Sequence, residues 1–169
     1  GNAYRLILSG LCDAMVTGSS EAVMTPTCIA GFTNMTAMSS DNMSRPFDRD
    51  RNGFVLAEGS GILVLEEMES AKARGATILA ELMGAASNAD AHHITAPSPG
   101  GVGAINCMRT AIANAGLMPS DVTYVNAHGT STPLNDAAEA AAIAEVFGDT
   151  PPAVTSFKGV TGHALGGAG

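Results

Sequence analysis

Two histidines near the C-terminal end stand in unusual glycine- and threonine-rich settings. His128 lies in Tyr124-Val125-Asn126-Ala127-His128-Gly129-Thr130-Ser131-Thr132-Pro133, and His163 closes Ser156-Phe157-Lys158-Gly159-Val160-Thr161-Gly162-His163. Each follows an apolar, β-branched run and precedes small residues, which predicts a strand-to-loop edge open to a substrate. An imidazole in such a place can donate a hydrogen bond to a developing oxyanion or exchange a proton, and two aimed at one oxygen make a stronger site than one. Lys158 is close enough in sequence to bias their charge state or to hold an anionic network. The threonine hydroxyls and backbone amides of the first loop suit a polar ligand, and a helix beginning near Gly162 would add amides and a positive dipole end. A lone histidine is more often a satisfied core residue; two in matching settings shift the balance toward chemistry.

The pair lacks a nucleophile within the chain. Cys28, in Thr25-Pro26-Thr27-Cys28-Ile29-Ala30, has no histidine context and no glycine elbow, and reads as core. His92 and His93, ahead of Pro97-Ser98-Pro99-Gly100-Gly101, read as loop residues with structural hydrogen bonds or solvent exposure. The glycine-rich stretch 162–169 lacks the terminal Gly-Lys-Ser/Thr of a phosphate loop. Asp136 and Glu139, on one helix just after the threonine loop, either cap that helix or reach back to hold the Lys158/His163 segment.

The elements that must position these groups follow from periodicity and punctuation. The first ten residues read as a helix stopped at Gly10, and Ala14–Gly18 as a short buried strand. Pro26–Met38 is helical in part, and 39–51 is a polar loop with a rigid turn at Ser44-Arg45-Pro46-Phe47-Asp48. Ile62–Glu66 is a strand, Glu67–Arg74 a helix closed by Gly75, and Ile78–Ala86 another strand. Gly103–Ala115 is a helix stopped at Gly116, Val122–Ala127 a strand, Asp136–Phe147 an alanine-rich helix capped by Asn135 or Asp136, and Ala153–Ser156 the last strand. Strands alternating with helices predict an α/β sheet covered on both faces.

Composition narrows the class. The chain has 169 residues, 46% hydrophobic and only 14% charged, so its polar surface is thin and it is expected to hide surface against a partner or a larger body. A net charge of −8 leaves no basic stripe for phosphates, which excludes a nucleic-acid binder. Cys12, Cys28 and Cys107 are odd in number and unpaired in spacing, so neither a disulfide framework nor a zinc site is expected. No apolar run approaches the ~20 residues of a membrane span. With no signal peptide, a cytoplasmic protein is expected. The chain has no initiating methionine and both ends read as cut within helices, so it is expected to be a fragment.

Several longer motifs resemble the β-ketoacyl-acyl-carrier-protein synthases of the thiolase-like superfamily. Asn126-Ala127-His128-Gly129-Thr130-Ser131-Thr132-Pro133 and Lys158-Gly159-Val160-Thr161-Gly162-His163 are similar to that family's two histidine motifs. Ser44-Arg45-Pro46-Phe47-Asp48, Arg51-Asn52-Gly53-Phe54-Val55, Glu58-Gly59-Ser60-Gly61, and Thr25-Pro26 with Ala30-Gly31-Phe32 match further signatures in the right order. The resemblance covers essentially the whole chain. It implies the middle part of a layered α-β-α-β-α thiolase-like fold, with about 1–75 from the N-terminal half and about 76–169 from the C-terminal half.

The resemblance also implies a reaction. A family cysteine, falling just before Gly1, takes an acyl chain from acyl-carrier protein as a thioester. Malonyl-carrier protein then loses carbon dioxide and the carbanion attacks the acyl-enzyme. His128 and His163 would stabilise the enolate oxygen, Lys158 would support His163, and Thr130 and Thr132 would bind the phosphopantetheine arm. Glu139 and Asp136 would support the network. No metal or resident cofactor is implied, since the arm arrives on the carrier; a homodimer is implied for the intact parent, and inactivity for the fragment alone. Thr-Ser-Thr after the histidine resembles the discrete fatty-acid enzymes. Asn135 and Arg51-Asn52-Gly53-Phe54 also occur in aromatic polyketide ketosynthases, so that pathway stays open, as does a non-catalytic partner of the chain-length-factor kind.

Overall fold

A computed structural model describes residues 1–168. Helix α1 (Asn2–Leu8) ends where Gly10 turns to φ +70°, as its sequence predicts. Strand β1 (Ala14–Glu21) then pairs antiparallel with β2 (Gly59–Glu66), from Ala14 opposite Glu66 to Glu21 opposite Gly59. Between them lies α2 (Pro26–Asn34), started by Pro26 in the first turn and by Thr25, whose hydroxyl accepts from the Cys28 amide. Helix α3 (Met68–Ala73) follows β2, its first turn capped by the Glu67 carboxylate accepting from Ser70 N.

In the second part, α4 (Val102–Asn114) packs on α5 (Pro133–Phe147), and the short strands β3 (Tyr124–Asn126) and β4 (Ala153–Thr155) pair in parallel. Ala127, Ile143, Val146 and Phe147 form the core here, with Ile105, Met108, Val125 and Val154 packed against it. A second core gathers Val23, Phe54 and Leu56, with Cys28 and Phe32 against it. One parallel bridge, Leu56 to His163, links the two regions.

Three expectations are corrected. The sheet covered on both faces is instead two separate two-stranded ladders among the described residues, and β1–β2 leaves Val16, Ile62, Leu63 and Val64 each more than 60% exposed. The strand expected over Ile78–Ala86 does not form, because its backbone meets no ladder partner among the described residues. Its hydrogen bonds come from side chains instead, Tyr4 Oη donating to Met83 O and Asn114 Nδ2 to Ala85 O, and Gly84 lies close against the Ala111–Ala115 end of α4. Finally, no helix begins at Gly162. A single helical turn, α6 (Lys158–Thr161), ends there, and Leu165–Gly167 is a 3-10 turn; Gly169 lies outside the described residues. No helix among the described residues is long and apolar enough to cross a membrane.

Candidate active site

The two histidine loops leave the ends of adjacent parallel strands, and this is what brings them together. Ala127 N donates to Thr155 O (2.7 Å) as the ladder's last rung, and Phe157 N donates to Asn126 Oδ1 (3.2 Å) just beyond it. The imidazoles of His128 and His163 then meet edge to face, with centroids 5.5 Å apart and planes at 85°. Phe54 abuts the other side of His163 at 4.9 Å, and Phe32 abuts Phe54 at 5.6 Å.

Backbone and side chain both fix His163. His163 N donates to Val55 O (2.7 Å) and His163 O accepts from Ala57 N (3.1 Å). Its Nδ1 accepts from Leu165 N (3.1 Å), which places the proton of the neutral ring on Nε2. Burial, with Lys158 and then His128 adding like charge, pushes its pKa down to about 4. His128 is also lowered, by burial first and by Lys158 second, with Glu139 and Asp136 opposing. It keeps one side open to solvent. Lys158 is buried and its own pKa is lowered by that burial; among the described residues its Nζ reaches the Ala168 carbonyl at 3.5 Å. The site thus offers two neutral imidazoles, one with a defined donor nitrogen, beside a buried cation.

Two glycines permit this approach. Gly129 has φ +38°, and a Cβ there would stand 2.5 Å from Ser156 Cβ. Gly162 has φ +73° and ψ −174°, a region nearly confined to glycine, and a Cβ would lie 2.9 Å from Val55 O. Gly162→Ala is expected to lower stability by about 1–3 kcal/mol, read as a lower urea midpoint at unchanged slope.

The carboxylates hold the other loop. Glu139 takes His128 N on one oxygen (2.7 Å) and Gly129 N on the other (2.8 Å). Asp136, 1% exposed, accepts from Phe47 N (2.7 Å) and Ser131 N (3.2 Å). Neither caps α5, whose N-cap is Thr132 with Pro133 following, and neither makes a hydrogen bond or ion pair to Lys158 among the described residues. Of the two sequence alternatives, capping is wrong because the chain turns at Thr132, and Lys158 feels these carboxylates only through space. Thr130 and Thr132 hydroxyls are hydrogen-bonded to each other at 2.8 Å.

Sequence reasoning missed the clasp over this loop. Segment 44–53 presses on it from the side: Arg45 N donates to Ser131 Oγ (2.8 Å) and Gly53 N to Ser131 O (2.9 Å). Arg51 donates from Nη2 to Pro133 O (2.9 Å) and from Nε to Thr132 O (3.4 Å), and stands 3.7 Å from Asp136. Ser131 is fully buried with φ +67°, a strained backbone kept because N, O and Oγ are all bonded. The available signal was three arginines, Arg45, Arg49 and Arg51, in a polar stretch too long for a simple connection. His92 and His93 lie away from the pair's contacts; His93 Nδ1 accepts from Thr95 and Ala96 amides within its own loop.

The chain matches a known family. The β-ketoacyl synthase N-terminal domain matches residues 1–71 and the β-ketoacyl synthase C-terminal domain matches residues 79–169, so the chain belongs to the β-ketoacyl synthase family. It is 51% identical to the 3-oxoacyl-[acyl-carrier-protein] synthase 2 of Synechocystis sp., over 100% of this chain and 42% of that protein. To the synthase 2 of Staphylococcus aureus it is 47% identical, over 100% of this chain and 43% of that one. Among solved structures it resembles a type II polyketide ketosynthase in complex with its acyl-carrier protein (TM-score 0.95, 42% identity, 99% of this chain and 43% of that one). It also resembles a β-ketoacyl synthase from Burkholderia phymatum (TM-score 0.94, 41% identity, 100% and 42%). The fold is therefore the thiolase-like α/β fold of ketosynthases, and the chain spans about 42% of the length of the curated relatives it matches.

Proposed function

We propose that this chain carries the decarboxylating, oxyanion-stabilising half of a fatty-acid-type β-ketoacyl-acyl-carrier-protein synthase site. The observation that carries the reading is the His128/His163 pair: two imidazoles in edge contact, with the proton of His163 fixed on Nε2. In the reaction, the bond between the malonyl carboxylate and its methylene carbon breaks and carbon dioxide leaves. The electron pair passes into an enolate whose negative charge rests on the thioester oxygen. His128 and His163 donate N–H bonds to that oxygen, at a site where desolvation strengthens them. The enolate carbon then attacks an acyl thioester carbonyl and expels a thiolate, forming the β-ketoacyl product.

Burial first, and the positive charge of Lys158 second, push both rings toward the neutral form, and Glu139 sets His128 through its backbone. As the family resemblance implies, the acyl-bearing thiol belongs to the rest of such a protein; Cys28 packs against the Val23–Phe54–Leu56 core. The substrate is a phosphopantetheine thioester delivered on acyl-carrier protein, its arm bound by Thr130 and Thr132. A cytoplasmic homodimer is the expected setting. The likeness to a polyketide ketosynthase, together with Asn135, favours one second reading, the same condensation in aromatic polyketide assembly.

The test is release of labelled carbon dioxide from malonyl-acyl-carrier protein by the complete protein, with His128→Ala and His163→Ala beside it. Both variants are expected to lose it; release retained in both refutes the proposal. A pH series gives a further prediction. Above about 4 His163 is neutral, and below that Nδ1 takes a proton and can no longer accept from Leu165 N. Its folded pKa lies below the unfolded value of about 6.5, so the unfolded chain binds more protons between the two. Its contribution to stability is therefore complete above ~6.5 and lost as pH falls toward about 4, which melting at stepped pH reads directly.

A further inference from the structure

Beside His128 lies a cavity of about 220 Å³, walled by apolar Pro97, Ala104 and Ala138 and by three polar residues besides the histidine: Asp90, Asn135 and Glu139. Glu139 is engaged with the His128 loop and Asp90 Oδ2 accepts from Ser98 N. Asn135 is the polar wall residue with no role so far. It sits in the first turn of α5, and its Nδ2 donates to Asp136 Oδ1 (3.1 Å) and to Glu139 Oε2 (3.4 Å).

Those two bonds settle which way the amide faces. A carboxylate only accepts, so an oxygen turned toward Asp136 and Glu139 would meet two acceptors with no proton between them. The NH2 group is bound to that side, and the carbonyl Oδ1 is left as the group for a ligand. The cavity wall then presents acceptors, and what it lacks is a donor from the occupant.

We propose, resting on the function above, that Asn135 is a specificity-determining residue whose Oδ1 accepts a hydrogen bond from an amide N–H of the thioester's arm. The bond selects amide-bearing arms over purely alkyl ones, because an occupant without a donor leaves this acceptor unpaired. Asn135 is also placed so that whatever the arm does to it is felt by the two carboxylates that hold the His128 loop.

The test compares Asn135→Ala with the unchanged complete protein. Alanine suits a helix's first turn, and equal melting temperatures verify the fold. In calorimetric titration with pantetheine, the variant is expected to bind about 5- to 10-fold more weakly. In decarboxylation, the loss of kcat/KM is expected to be larger by a similar factor for malonyl-pantetheine than for the malonyl thioester of propanethiol, which carries no amide. Equal pantetheine affinity overturns the proposal. So do equal losses with both thioesters, the pattern expected of a residue that acts on His128 only through Glu139. If pantetheine binding depends on Asn135 while the unchanged protein releases no carbon dioxide from malonyl-pantetheine, the assignment of Asn135 stands and the proposed reaction fails.

Discussion

His163→Ala in the complete protein is expected to lower malonyl-thioester decarboxylation by about 10²- to 10³-fold, the usual loss for one preorganised oxyanion donor. The size follows from how much of the structure is committed to that one ring. Its main chain is pinned to Val55 and Ala57, its Nδ1 is occupied by Leu165 N, and its plane is braced by Phe54. A donor held so needs no reorganisation when charge develops on the substrate oxygen. His163→Gln keeps an N–H donor but loses the ring that Phe54 and His128 brace, and is expected to recover part of the rate. The measurement is single-turnover carbon dioxide release at neutral pH. A fall in kcat without a matching rise in KM identifies an interaction made in the transition state; a rise in KM alone would assign His163 to ground-state binding instead.

Asp136→Ala is expected to cost about 2–5 kcal/mol of stability, the largest effect on folding of any substitution in the loop. The carboxylate is buried, and removing it strands the amides of Phe47 and Ser131 in a place water does not reach. It also leaves Arg51 without its nearest carboxylate. Asp136→Asn keeps the volume and an acceptor, so it is expected to lose markedly less. Urea denaturation of the three proteins checks this; equal midpoints for wild type and Asp136→Ala would show that the clasp is not held through this residue.

Much of the site could be read from residue order, because strand-to-loop edges leave a local trace. The apolar run before Ala127 and the small residues after it placed His128 at a strand-to-loop edge, whereas His163 stands beyond the α6 turn, past the end of β4, in a bridge to Leu56. The helices ending at Gly10, Gly75, Gly116 and Gly148 were legible from their stops. The roles of Asp136 and Glu139 were not. Two carboxylates in the first turns of a helix look like caps, and only the turn at Thr132 shows that they accept from the preceding loop instead. Ile78–Ala86 carries the apolar residues of a strand, but strand formation depends on a neighbour's backbone, which sequence alone does not display. The partners of the clasp were illegible for a related reason: the Ser44-Arg45-Pro46-Phe47-Asp48 motif marks the segment, but Arg45 and Phe47 bond to Ser131 and Asp136 through backbone amides, which no side-chain type reveals.

That clasp bears on how the protein folds. Arg45 meets Ser131 across 86 positions of chain, and Phe47 meets Asp136 across 89. Loops of that length close slowly, since their ends must find each other before any bond rewards the search. Ser131 cannot hold its left-handed backbone until those bonds exist. The strands and helices around it rest on nearer contacts and can form first. The histidine loop is thus expected to take its working shape late, so that a nascent or partly unfolded chain has its scaffold before it has its chemistry.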